Sequence, residues 1–160
     1  MARAVADKDK GWKEIEKQIE IASKSLVKVG FQQGETTKLQ RKGNRTKKSG
    51  FSMPDIAAVN EFGSAKIPAR PFMRTSFDEN RDKITSFVQK NYDKILEGKI
   101  TTKQALGLIG LAMVGLIQKK IRSIVTPPNS PRTIEIKKSS KPLIDFGQMI
   151  QSVREKVVIR

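Results

Sequence analysis

The chain has 160 residues, 37% of them hydrophobic, enough for a single domain (1–160) with a modest core and exposed extensions but not for two independent cores. Thirty-two lysines and arginines stand against sixteen acids, a formal charge of +16, so an acidic partner is expected: nucleic acid, an anionic membrane surface or an acidic protein neighbour. Neither cysteine nor histidine is present, which excludes disulfides, thiolate metal sites, Ser-His-Asp and Cys-His nucleophile systems and nearly all zinc sites.

Residues 1–10 lack the apolar run of a secretory signal and read as a flexible terminus. Trp12, Ile15, Ile19, Ala22 and Leu26 then recur at three-and-four spacing, predicting an amphipathic helix over 11–24. The period changes at Val27, Val29 and Phe31, which alternate with Lys28 and Gly30 as a half-buried strand does, ending near Gln33 and Gly34. From Thr36 to Gly50 there is no apolar periodicity, only six cations and no acid: Lys38, Arg41, Lys42, Arg45, Lys47 and Lys48. Between a strand and the Phe51 segment, this stretch (36–50) reads as a basic hairpin arm that protrudes from the domain.

Ser52-Met53-Pro54-Asp55 has the chemistry of a helix start, and Gly63 is placed to end that short helix. Ile67-Pro68-Ala69-Arg70-Pro71 is extended, because each proline biases its predecessor away from helical geometry. Phe72, Met73, Phe77, Ile84, Phe87, Val88, Ile95 and Leu96 then mark one face of a single long helix to Glu97, stopped by Gly98 and on the order of 40 Å long. Thr101 and Gln104 form a capping box for a second helix reaching about Ile124, and the two helices are expected to pack as a hairpin. The apolar run from Ala105 to Ile117 falls short of the roughly 20 residues a bilayer span needs, so it reads as a buried core helix. Gly107 and Gly110 are expected to serve packing within the helical hairpin rather than a subunit contact. Residues 126–142 read as a basic loop, in which Thr133-Ile134-Glu135-Ile136 has the composition of a short strand, and the tail from Gln151 ends as a sheet strand. The class that follows is α+β: a small antiparallel sheet on a long helical hairpin, with a basic hairpin arm.

Few residues point to chemistry. Asp78, Glu79 and Asp82 are a carboxylate group of the sort that holds Mg²⁺ in nucleases, yet acids near a helix N-terminus are also favoured by its dipole, and that reading is adopted. Pro54-Asp55 with Glu135-Ile136-Lys137 has the residue types of an acidic-x-lysine nuclease signature but lacks its spacing. Lys47-Lys48-Ser49-Gly50 lacks the glycine spacing and context of a phosphate loop. No catalytic, metal or cofactor site is expected, and the chain reads as a binding protein, not an enzyme. The arm has no interleaved aromatics, so any nucleic-acid binding through it is expected to be sequence-independent and salt-sensitive; its alternative is an acidic protein surface.

Two longer strings carry a resemblance. Asp55-Ile56-Ala57-Ala58-Val59-Asn60-Glu61-Phe62-Gly63, followed by Ile67-Pro68-Ala69-Arg70-Pro71-Phe72-Met73-Arg74, resembles the tail-component family of tailed bacteriophages, the neck, tail-completion or head-tail joining proteins. Pro142-Leu143-Ile144-Asp145-Phe146-Gly147-Gln148-Met149-Ile150, with Ser152 and Val153, is similar to that family's C-terminal motif, although the family often has threonine where this chain has Phe146. The resemblance runs over roughly Leu26 to Val158. It implies an α+β domain without catalytic chemistry that joins a ring between capsid portal and tail tube, in the virion or, during assembly, in the host cytoplasm. Its implied partners are further copies of the chain, other neck or tail proteins and, non-specifically, DNA in the channel, with no membrane. Under it, Pro68 and Pro71 set a rigid corner, and Arg70 and Arg74 pair with acids there or on a neighbouring subunit. Phe62 and Phe72 are core anchors in the first instance, and with Arg70 and Arg74 they are the candidate subunit contacts.

Overall fold

The structure, a computed structural model, describes residues 11–32, 36–38, 48–145 and 147–160. In chain order its elements are α1 (Trp12–Lys24), β1 (Leu26–Phe31), β2 (Thr36–Lys38), β3 (Lys48–Ser52), α2 (Met53–Phe62), α3 (Met73–Asp78), α4 (Arg81–Leu96), α5 (Thr102–Ser123), α6 (Pro131–Lys137), α7 (Gln148–Gln151) and β4 (Val153–Val158). The class is α+β, as the sequence predicts. β1 and β4 pair antiparallel, from Leu26 opposite Val158 to Phe31 opposite Val153, and this sheet packs on α5.

Local bonds start the main helices. Ser52 caps α2: its Oγ accepts the Asp55 amide, and the Asp55 carboxylate accepts the Ser52 amide at 3.0 Å, with Pro54 in the first turn. Thr101 and Gln104 form the same reciprocal box at the start of α5. One more free donor at that end, the Thr102 amide, is taken by Gln18 Oε1 of α1 at 2.8 Å, while the buried Thr102 hydroxyl donates to the Gln18 carbonyl. α1 is thereby pinned to α5, with Ile15, Ile19 and Ala22 half-buried; Trp12, expected on its apolar face, stands exposed.

The core gathers Phe72, Val114, Ile117, Ile121, Leu143, Met149, Ile150 and Val153 with Met53 and Ala57 of α2. α5 is long and apolar enough to cross a membrane by length and composition, and its Ala105, Met113, Val114, Ile117 and Ile121 are buried within the chain. Gly110 serves packing, as expected, but against the sheet, not within the helical hairpin: a Cβ there would lie 2.7 Å from Glu155 Cβ and 2.8 Å from Val27 Cγ2. Gly107 has open space around it.

Two sequence expectations are corrected. The single helix from Phe72 to Glu97 is two helices, α3 and α4, broken at Glu79 and Asn80. In a continuing helix the Ser76 carbonyl would accept the Asn80 amide; here the Asn80 side chain donates to it at 2.8 Å, and the Asn80 amide turns to Phe77 O. Lys120 of α5 holds the junction through a 2.6 Å ion pair with Glu79. The short strand at 133–136 is instead α6, begun by Ser130, whose Oγ accepts the Thr133 amide, with Pro131 first in the helix. The segment 126–142 therefore contains a helix and is not loop throughout.

β2 and β3 pair antiparallel, with Lys38 opposite Lys48, and form the base of the expected hairpin. Its Arg41, Lys42, Arg45 and Lys47 lie outside the described residues, as does the expected flexible terminus 1–10. β3 runs without a linker into α2, so the hairpin is joined directly to the helix that opens the first motif string.

Candidate functional site

The motif string from Asp55 to Arg74 folds as α2, a corner and α3, and most of its polar groups are used inside the chain. Gly63 ends α2 at φ +80°, a conformation L side chains rarely adopt, and a Cβ there would lie 2.9 Å from the Ala69 amide nitrogen. Ser64 and Ile67 then exchange backbone bonds, and the Arg70 amide returns to the Asn60 carbonyl at 2.7 Å, closing the corner. Glu61 is only 7% exposed. Its carboxylate accepts the Met73 amide at 2.8 Å and the Arg74 amide at 3.0 Å, capping α3 from another helix where Phe72 has no side chain able to do so.

Arg70, expected to pair with an acid, does something else. It is 5% exposed, and its Nε and Nη2 donate to the Pro127 and Pro128 carbonyls at 2.7 and 2.9 Å. Those carbonyls follow the end of α5, where no helical donor reaches them. Burial pushes the Arg70 pKa below its ordinary value. Phe72 is fully buried and meets Phe31 of β1 edge to face, ring centres 6.0 Å apart. Of the four candidate contacts, Arg70 and Phe72 are thus interior to the chain.

Phe62 and Arg74 remain on the surface. Phe62, expected first as a core anchor, is 73% exposed. It borders an apolar groove of about 600 Å³ formed by β1, α2 and α3, with Ala58, Met73 and Phe77 in its wall. β1 is paired on one side only, to β4, among the described residues.

On the other side of the motif corner is a second cleft, of about 620 Å³, walled by α2, the 66–70 corner, the segment 128–137 and the turn at 142–149. All the strings that carry the sequence resemblance meet around it. Lys137 of α6, half-buried, donates to the Pro142 carbonyl at 3.1 Å and the Lys141 carbonyl at 3.4 Å. Its pKa is lowered, mainly by burial; Asp145 opposes that shift and Arg70 adds to it. The buried Asn129 donates to the Lys141 carbonyl at 3.1 Å, so Asn129 and Lys137 hold one strand of backbone between them. Sequence reasoning passed over this cleft. The motif strings and Arg70 are legible in the sequence, but Lys137 falls there only in a nuclease-like pattern, because the fold that brings it to the same cleft is non-local.

The acids set aside as nuclease candidates are separated in use. Asp55 caps α2, Glu79 pairs with Lys120, and Asp78 and Asp82 are exposed. Among the described residues no group of three acids lies close enough to hold a metal ion. No protein-family profile, curated protein or solved structure matches the chain.

Proposed function

We propose that this chain is a structural assembly protein of the head-tail joint or tail end of a tailed bacteriophage, forming or joining a ring by protein-protein contacts. The observation that carries the reading is the contrast within one string: Glu61, Arg70 and Phe72 are clamps inside the chain, whereas Phe62 stands 73% exposed on an apolar groove. An exposed aromatic on an apolar groove is typical of an interface anchor. The edge of β1 next to it, unpaired among the described residues, is a second surface on which a neighbour can add. The resemblance of the two motif strings supplies the class of assembly, and the +16 charge suits a ring that encloses DNA or lies against acidic subunits.

A second reading, non-specific nucleic-acid binding, rests on the basic hairpin, whose paired base brings Lys38 opposite Lys48 on an arm with four further cations in its sequence. Light scattering of the purified chain at low and high salt, alone and with neck and tail proteins, separates the two. A discrete ring or a stoichiometric co-complex supports the assembly reading. A persistent monomer that ignores those proteins and binds DNA with a steep salt dependence replaces it with the second.

A further inference from the structure

The cleft at the motif corner carries an imbalance of charge that the described residues do not settle. Lys66, Arg70 and Lys137 line it against one carboxylate, Asp145. Arg70 and Lys137 both line it, the charge of Arg70 bears on Lys137, and neither has an ion pair with a described acid. Both are held in place by backbone carbonyls: Pro127 and Pro128 for Arg70, Lys141 and Pro142 for Lys137. Those bonds use two of the five N–H donors of a guanidinium and two of the three of an ammonium, so donors are left on both. The rest of the wall is largely apolar, with Ile56, Ile67, Pro68 and Leu143.

We propose that this cleft binds a segment of a partner protein that presents a carboxylate beside an apolar side chain, the carboxylate being received by Arg70 and Lys137. Charge complementarity selects the acid. Two cations fixed in position before binding accept it without the cost of ordering long side chains, and partial enclosure strengthens the attraction relative to open water. Asp145 on the same wall favours a singly charged carboxylate over a phosphate, whose second charge it would repel. The apolar wall favours a peptide over a free small acid. The site is separate from the Phe62 groove and does not require ring formation.

The test uses the full chain at physiological ionic strength and a short acetylated, amidated peptide of alternating leucine and glutamate, with its leucine-glutamine counterpart. Amide chemical shifts are followed in ¹H–¹⁵N spectra. The glutamate peptide is expected to move Asn129, Thr133 and Gln148, and the glutamine peptide to bind about tenfold more weakly, as loss of a charge-assisted hydrogen bond implies. K137Q removes a donor but also a bond to the 141–142 backbone, so the fold-neutral variant is K66Q, whose side chain is exposed. It removes the third cation on the cleft wall while leaving Arg70 and Lys137 to receive the carboxylate, and is expected to weaken the glutamate peptide about twofold with an unchanged melting temperature. Equal affinity for the two peptides, shifts confined to lysines elsewhere, or no binding would overturn the proposal. So would the same cleft shifts produced by inorganic phosphate alone, or by raising protein concentration without peptide, which would assign the cleft to a phosphate or to a second copy.

Discussion

Glu61 and Met73 are joined by a 2.8 Å bond from the Met73 amide to the Glu61 carboxylate, so that the side chain ending one helix caps the start of the next. A motif of nine residues followed by one of eight is thereby a single mechanical unit. Replacing Glu61 with alanine leaves the Met73 and Arg74 amides without that acceptor, and the expected loss is about 1–3 kcal/mol, with Glu61→Gln milder. Urea unfolding midpoints check this. A change within a few tenths of a kcal/mol would mean that the two amides find other partners.

Arg70→Lys keeps the positive charge and loses the planar fork that reaches two carbonyls at once. Stability is expected to fall by about 1–3 kcal/mol, because a single ammonium does not match both acceptors and a buried cation is left less well satisfied. If the two carbonyl bonds contributed nothing, the isolated chain would unfold at the same denaturant concentration as the parent.

Two of the three glycines of α5, Gly107 and Gly110, should respond in opposite directions. Gly110→Ala forces a Cβ into Glu155 and Val27 of the sheet and is expected to cost about 1–3 kcal/mol. Gly107→Ala meets nothing within 4 Å and is expected to stabilise by up to about 1 kcal/mol through helix propensity. Paired thermal melts decide the matter, and equal effects would contradict the close packing of sheet on helix.

Asp55 gives a pH signature. Its pKa is lowered, first by the hydrogen bond from the Ser52 side chain and then by that from the Ser52 backbone. A depressed carboxylate contributes its stabilisation fully above the unfolded-state value and loses it as pH falls through the folded value, so the α2 cap should release on the acid side of the ordinary aspartate range. Amide shifts of Ser52 and Asp55 followed on acidification report it. Ser52→Ala should return the Asp55 titration toward the ordinary value, and no movement would show that the box is not formed in solution.

What the sequence made legible was what local bonds decide. The capping box at Thr101 and the helix start at Ser52 could be seen because their partners are three residues apart, and β1 because its alternation is short and clear. The break at Asn80 was hidden, since the apolar spacing from Phe77 to Ile84 continues through it while one amide side chain captures one helix carbonyl. The β-branched Thr133, Ile134 and Ile136 suggest a strand, whereas the Ser130-Pro131 start that decides for a helix lies just outside that stretch. The site was least legible: Arg70 reaches carbonyls 57 and 58 residues away, and Phe62 and Phe72 look alike until the corner between them turns one inward and leaves the other out.

The most direct test of the assembly reading is sedimentation velocity on the parent chain and on Phe62→Ser, each with neck and tail proteins present. Because Phe62 is exposed, the substitution should leave the melting temperature unchanged. A discrete assembly for the parent, lost or markedly weakened in Phe62→Ser, is the predicted result. A parent that stays monomeric with every such protein, or a Phe62→Ser chain that assembles as the parent does, would contradict it.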